Sequence, residues 1–252
     1  MITEQYNLFP DSAEYVLAEN ESISTLNHKI EMEMHVKSKE SYRTRIIQGV
    51  GSERWSQLTF TGADDDLVIQ PYSTTIPKRL IPVTDMNIDT DQSYGVHFYL
   101  HDYRTLHIFE HIDDYIPMLS RMTAVITADC SQYIDMPPYK RYEMSCTNKR
   151  IAAYLQSKNV PIIVNVAWST PDSFKYAFDG IPTRCPISIS SIGVKRYCVS
   201  KYLWKLGYEK AVECLSPTVI LRYGERMPFE YDEISVYFDN ERLKRLRNGR
   251  KR

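Results

Sequence analysis

The stretch Met122-Thr123-Ala124-Val125-Ile126-Thr127-Ala128-Asp129-Cys130-Ser131-Gln132-Tyr133-Ile134-Asp135-Met136-Pro137 decides how this chain reads. A short apolar run of strand length stops abruptly. Two carboxylates, a thiol and the Thr127 and Ser131 hydroxyls follow it, and then a proline turn. Where a buried strand gives way to such a loop in a sheet flanked by helices, ligands bind. Working outward, the same pattern recurs on both sides of the stretch.

Upstream, Val96 to Leu100 is a strand and Asp102 opens a helical pattern that runs to about Met122. Downstream, Tyr139 to Ser157 reads as a long helix, Pro161 to Ala167 as a strand, and Ser169 or Thr170 caps a short helix ending near Phe178. Pro186 to Ser191 is a strand, Val199 to Leu215 a helix, and Pro217 to Tyr223 and Ile234 to Phe238 are the last strands. Strands alternating with helices imply parallel βαβ units. The expected class is therefore α/β with a mostly parallel sheet. Five or six units are too few for a closed eight-stranded barrel, so a partial or degenerate barrel and an open doubly wound sheet stand as equal alternatives.

Residues 1–94 lack this rhythm and read as an irregular, partly β N-terminal extension or arm. Asp11 to Glu21 is a candidate helix, and Lys29 to Val36, Arg43 to Val50 and Leu67 to Tyr72 are candidate strands. The expected organisation is this arm, an α/β core over 95–240 and a basic tail over 241–252. The tail carries seven Lys/Arg and one Glu, a net +6 against −7 for the preceding 240 residues. Any general phosphate contact should thus concentrate in Arg242, Lys244, Arg245, Arg247, Arg250, Lys251 and Arg252. The other reading of this segment is a solvated end.

Composition excludes several classes. No apolar run approaches the roughly 20 residues needed to span a bilayer, and Met1 to Gln5 do not begin a signal peptide. A cytoplasmic protein is expected. Five cysteines without a CxxC pair argue against structural zinc and for buried thiols, with Cys130 alone placed as a candidate nucleophile. There is no Walker loop, GxGxxG, HExxH or GxSxG. His97 and His101 lie across a strand end and make a poor metal pair. Magnesium on Asp129 and Asp135 stays open, because hard cations need only oxygen ligands.

A parallel sheet brings its strand ends to one edge. That edge would collect Asp102, Asp129, Ser131, Asp135, Asn165, Trp168, Ser191 and Tyr223, together with Asn148 and Arg150 from the long helix. Most of these have a structural alternative. Asp102 and Ser169 are good helix caps, Asp135 and Asp179 good turn formers, and Trp168 a good core aromatic. Gly193 and Gly224 suit positive φ. Arg150 is either solvated or an anion clamp for the cleft. Asp129 has the fewest alternatives, since no helix starts beside it and an uncompensated buried carboxylate is costly.

The motifs Asp129 to Pro137, Asn148-Lys149-Arg150, Trp168-Ser169, Phe178-Asp179-Gly180-Ile181-Pro182 and Tyr223-Gly224 resemble a domain-of-unknown-function family of phages, prophages and other mobile elements. Its pattern runs P-D-F-S-x-Y-x-D-M-P, N-R, W-S, F-D-G-I-P and a late Y-G. The match covers about residues 96–238. Ala128 and Cys130 depart from the pattern, and Lys149 splits the Asn-Arg pair. The resemblance implies a mobile-element origin and supplies no activity.

The expected function is an enzyme or nucleotide-type ligand binder. Asp129 would be its base or metal ligand, Arg150 its anion clamp, Trp168 a stacking wall, and Asp135 and Asp179 supporting carboxylates. Ser131, Asn148, Asn165, Ser191 and Tyr223 would contact the ligand. The rival is a non-catalytic phage accessory protein that binds DNA, or a host or phage protein, through its arm and tail.

Overall fold

Side chains that alternate in and out along each strand, in a register broken only by a shift between His97 and Phe98 among the described strands, shape this molecule. The computed structural model describes residues 68–194, 198–227 and 231–239. Seven strands, β1 (Leu80–Pro82), β2 (Gly95–Phe98), β3 (Ala124–Ala128), β4 (Ile162–Asn165), β5 (Ile187–Ser190), β6 (Ile220–Tyr223) and β7 (Ser235–Phe238), lie side by side in chain order. Every neighbouring pair is parallel. Five helices are interspersed: α1 (Asp102–Glu110), α2 (Ile112–Leu119), α3 (Pro138–Ser157), α4 (Phe174–Ala177) and α5 (Cys198–Leu215).

Distances decide between an open sheet and a barrel. Four strand spacings separate β2 from β6, roughly 19 Å in a flat sheet. Yet the rings of His97 on β2 and Tyr223 on β6 are 4.5 Å apart. Leu80 of β1 and Phe238 of β7 share one buried cluster with Ala124, Ile126, Ile163 and Leu221. The sheet is therefore curled into a nearly closed barrel. Of the two alternatives left by the sequence, the partial barrel is the one realised.

The register explains both surfaces. His97 stands opposite Ile126, Ile126 opposite Ile163, Asn165 opposite Ser188, and Ser188 opposite Leu221, all facing inward. The residues between them face the helices. Both faces are covered, so all of β3 and β4 are buried and their sequences read as continuous apolar runs.

Two expectations change. The helix expected from Asp102 to Met122 is two helices, broken at His111. His111 leaves helical geometry, with φ −113° and ψ 22°, and ends α1 as its C-cap, while Pro117 lies inside α2 and leaves the carbonyl of Asp113 without its helical N–H donor. Residues 68–72 are not a strand, whereas Leu80–Pro82 is. A segment read as irregular thus supplies the first strand and the seal of the barrel's amino edge. There the Tyr72 hydroxyl donates to Pro186 O at 2.5 Å and accepts from Val164 N at 3.0 Å, and Thr74 Oγ1 donates to Ile162 O at 2.8 Å. The expected helix 11–21, the strands 29–36 and 43–50, and the tail 242–252 lie outside the described residues. No described helix is long and apolar enough to cross a membrane.

Candidate functional site

At the carboxyl edge a cavity of about 550 Å³ opens between the loops that follow β3, β4 and β5 and the first turns of α5. Its lining includes Asp129, Gln132 and Asp135 from the first loop, Trp168 and Ser169 from the second, and Trp204 from α5. Lys, Arg and His are missing from the described lining.

Asp129 is held from two sides. Asn148 on α3 brackets the next peptide: Cys130 N donates to Asn148 Oδ1 at 2.7 Å, and Asn148 Nδ2 donates to Cys130 O at 3.3 Å. Asn165, at the end of β4, donates through Nδ2 to Asp129 Oδ1 at 2.9 Å and to Ala128 O at 3.3 Å. The Tyr99 hydroxyl donates its one proton either to Asn165 Oδ1 at 3.0 Å or to Ser188 Oγ at 2.6 Å, and Ser188 Oγ donates to Leu221 O. A polar chain therefore crosses the barrel from Asp129 to β6.

Burial pushes the Asp129 carboxyl up to about 6; the Asn165 hydrogen bond opposes the shift and the nearby Asp102 charge adds to it. The group exchanges its proton near neutral pH, which suits a general acid or base. Cys130, buried and beside Asp102 and Asp129, is pushed up to about 12. It stays a thiol, so the geometry gives it no nucleophilic role.

Below the cavity, His97 accepts from Tyr99 N through Nδ1 at 3.2 Å, so Nε2 carries the proton and has no partner. Burial holds its pKa down to about 3, leaving a neutral ring against Tyr223. Tyr223 also stacks on Tyr99 at 4.7 Å. Tyr223 is thus an interior wall and not a cavity contact.

The other expected residues separate into two groups. Asp129, Ser131, Asp135 and Trp168 line the cavity, and Asn148 and Asn165 support it. Arg150 does not line it, and Asp129 pairs with Asn165 instead of an arginine. Asp179 is exposed in a turn whose Gly180 carbonyl accepts from Ile69 N, away from the cavity. Ser191 binds Glu225 O through its hydroxyl and lies outside the lining. Asp102 does not cap α1; its carboxylate accepts from both Ser131 N and Ser131 Oγ at 3.1 Å.

Asp129 and Asp135 line one cavity, and no group of three His, Cys, Asp or Glu ligand atoms among the described residues includes them, so a magnesium ion there would complete its shell with water or ligand oxygens.

Sequence reasoning passed over Gln132, Trp204, Tyr99 and Gly207. Gln132 Oε1 and Ser169 Oγ are buried without partners although both residues line the cavity. Trp204 Nε1 donates to Ser190 O at 2.8 Å, and the Arg222 guanidinium lies 4.5 Å from the centre of its ring. Trp168 Nε1 donates to Leu203 O at 3.2 Å, and a β-carbon at Gly207 would overlap its indole. A glycine inside a helix opposite a tryptophan at a strand end was the available signal.

Fold and site together define an α/β protein with a nearly closed parallel barrel and an acidic, aromatic-walled cleft at its carboxyl edge. The chain belongs to the family of the domain of unknown function DUF4417, whose model matches residues 69–240. That match starts well before the region the sequence motifs covered, in keeping with the place of Leu80–Pro82 in the sheet. It is similar to the Gene 1 protein of Mycobacterium phage D29, 29% identical over 155 residues, 59% of this chain and 57% of that protein. It is also similar to the Gene 1 protein of Mycobacterium phage L5, 28% identical over 163 residues, 62% of this chain and 71% of that protein. The chain thus spans little more than half the length of the D29 relative. No solved structure matches it. Family and relatives mark it as a phage protein of unknown activity.

Proposed function

We propose that the cleft binds the base of a nucleotide or of a nucleic-acid end, and that Asp129 acts on it as general acid or base. The observation that carries this reading is a part-buried carboxyl, held by Asn165 and pushed up to about 6 by its burial, on the wall of a 550 Å³ cavity. Trp168 supplies an aromatic surface to the wall, and the Asp129, Gln132 and Asp135 side chains stand in the same lining, which suits a planar ligand with polar edges. The absence of Lys, Arg and His among the described lining residues favours the base over the phosphates. The exposed rings of Tyr133 and Tyr139, 58% and 73% accessible, extend a stacking surface beyond the mouth. The basic tail would add non-specific phosphate contacts, and the host cytoplasm is the compartment this reading calls for.

Titration of nucleosides, nucleoside triphosphates and short single strands against tryptophan fluorescence tests it. Nucleosides should quench saturably, triphosphates should bind no more tightly than nucleosides, and Asp129→Asn should abolish the response. Truncation before Glu241 should leave nucleoside binding intact and lower the salt-sensitive affinity for strands. Absence of binding by every base, or equal binding by Asp129→Asn, would overturn the proposal.

A further inference from the structure

We infer that His107, Glu110 and His111 form a binding site for a divalent transition-metal ion of the zinc class, at the junction of α1 and α2 and apart from the cleft. One ligand atom from each of the three lies within 4.8 Å of the others, the only such group of three among the described residues. The spacing causes this: residues three and four apart share a helix face. His107 Nδ1 is 3.6 Å from Glu110 Oε2, and the two imidazoles stand edge to face with centroids 5.3 Å apart.

Two imidazoles and a carboxylate are a zinc donor set, and bonds of about 2.0–2.1 Å place tetrahedral ligands about 3.3 Å apart. All three side chains are exposed, so small rotations close the remaining gap without disturbing the core. Two electrostatic features favour a cation here. His111 is the C-cap of α1, where the last carbonyls leave a partial negative charge. Asp113 and Asp114 follow in the first turn of α2. The bound ion would clamp the break between the helices, because His111 is the residue at which α1 ends and α2 begins. Three protein ligands leave a fourth position for water or a ligand from another molecule.

The test is zinc chloride titrated into the tag-free full-length chain at pH 7.5, read by calorimetry and by thermal unfolding. One equivalent should bind, and about tenfold excess over Kd should raise the midpoint by roughly 3 °C. His107→Ala and His111→Ala should each lose that equivalent and that shift, while keeping the wild-type midpoint without metal. Glu110→Gln should bind more weakly. Wild-type stoichiometry in both histidine variants would assign the metal elsewhere and overturn the inference, as would no binding by the wild type.

Discussion

The two edges of the barrel are built by opposite rules. At the amino edge, Tyr72, Thr74 and Pro77 close the strand ends, and the Tyr72 phenol satisfies a backbone N–H and a backbone carbonyl at once. At the carboxyl edge the barrel is hollow, its carboxyl is buried against its preference, and two buried polar atoms of the lining have no partner. One edge is satisfied and the other is held ready. Substitutions at the first should therefore change stability alone, and those at the second should change binding, in one case with a gain of stability.

The largest effect is expected from Asp129→Asn. The carboxyl sits about 2 pH units above its ordinary 3.8, which corresponds to roughly 3 kcal/mol. Between pH 3.8 and 6 the unfolded chain holds fewer protons at this site than the folded one, so the contribution of Asp129 to stability falls as pH rises and stays low above 6. The amide keeps an acceptor for Asn165 and carries no charge. Urea unfolding at pH 7.5 should show a gain of up to about 3 kcal/mol, alongside lost ligand binding. A loss of stability would make Asp129 a structural residue.

Tyr72→Phe comes next. It strips Val164 N–H and Pro186 O of their shared partner, and unfolding measurements should record a loss of about 1–3 kcal/mol. Ligand affinity should be unchanged; a parallel fall in affinity would break the separation of the two edges.

Gly207→Ala sharpens the contrast from the other side. The new methyl overlaps the Trp168 indole, so an overpacking cost of about 1–3 kcal/mol outweighs the roughly 1 kcal/mol that alanine gains in a helix. Displacing Trp168 should shift tryptophan emission and weaken ligand binding. The smallest stability effect belongs to Tyr133→Ala, an exposed position expected to change unfolding by less than about 0.5 kcal/mol while weakening oligonucleotide binding several-fold.

Much of this architecture was legible in the sequence because the physics behind it is local. Continuous apolar runs such as Ala124 to Ala128 mark strands buried on both faces, and the strand runs between Val96 and Ser191 are each followed by a helical pattern. Leu80–Pro82 was not legible: three residues among prolines carry no periodicity, and their partner is fixed only by the curl of the sheet. Asp129 stood out because it directly follows a buried strand. Its partner did not. Asn165 is one inward position in a strand, and only the β3–β4 register brings it beside Asp129 in place of Arg150. Asp179 had the composition of a site residue and the position of a turn.

The most direct test of the central claim, that the carboxyl edge holds a buried acid poised near neutrality, is the titration of the Asp129 side-chain carboxyl carbon by NMR. The resonance is identified by its absence in Asp129→Asn and followed from about pH 3 to pH 8. A midpoint near 6 is the predicted result. A midpoint at or below the ordinary 3.8 would mean that Asp129 is solvated and ionised throughout, and would contradict the account.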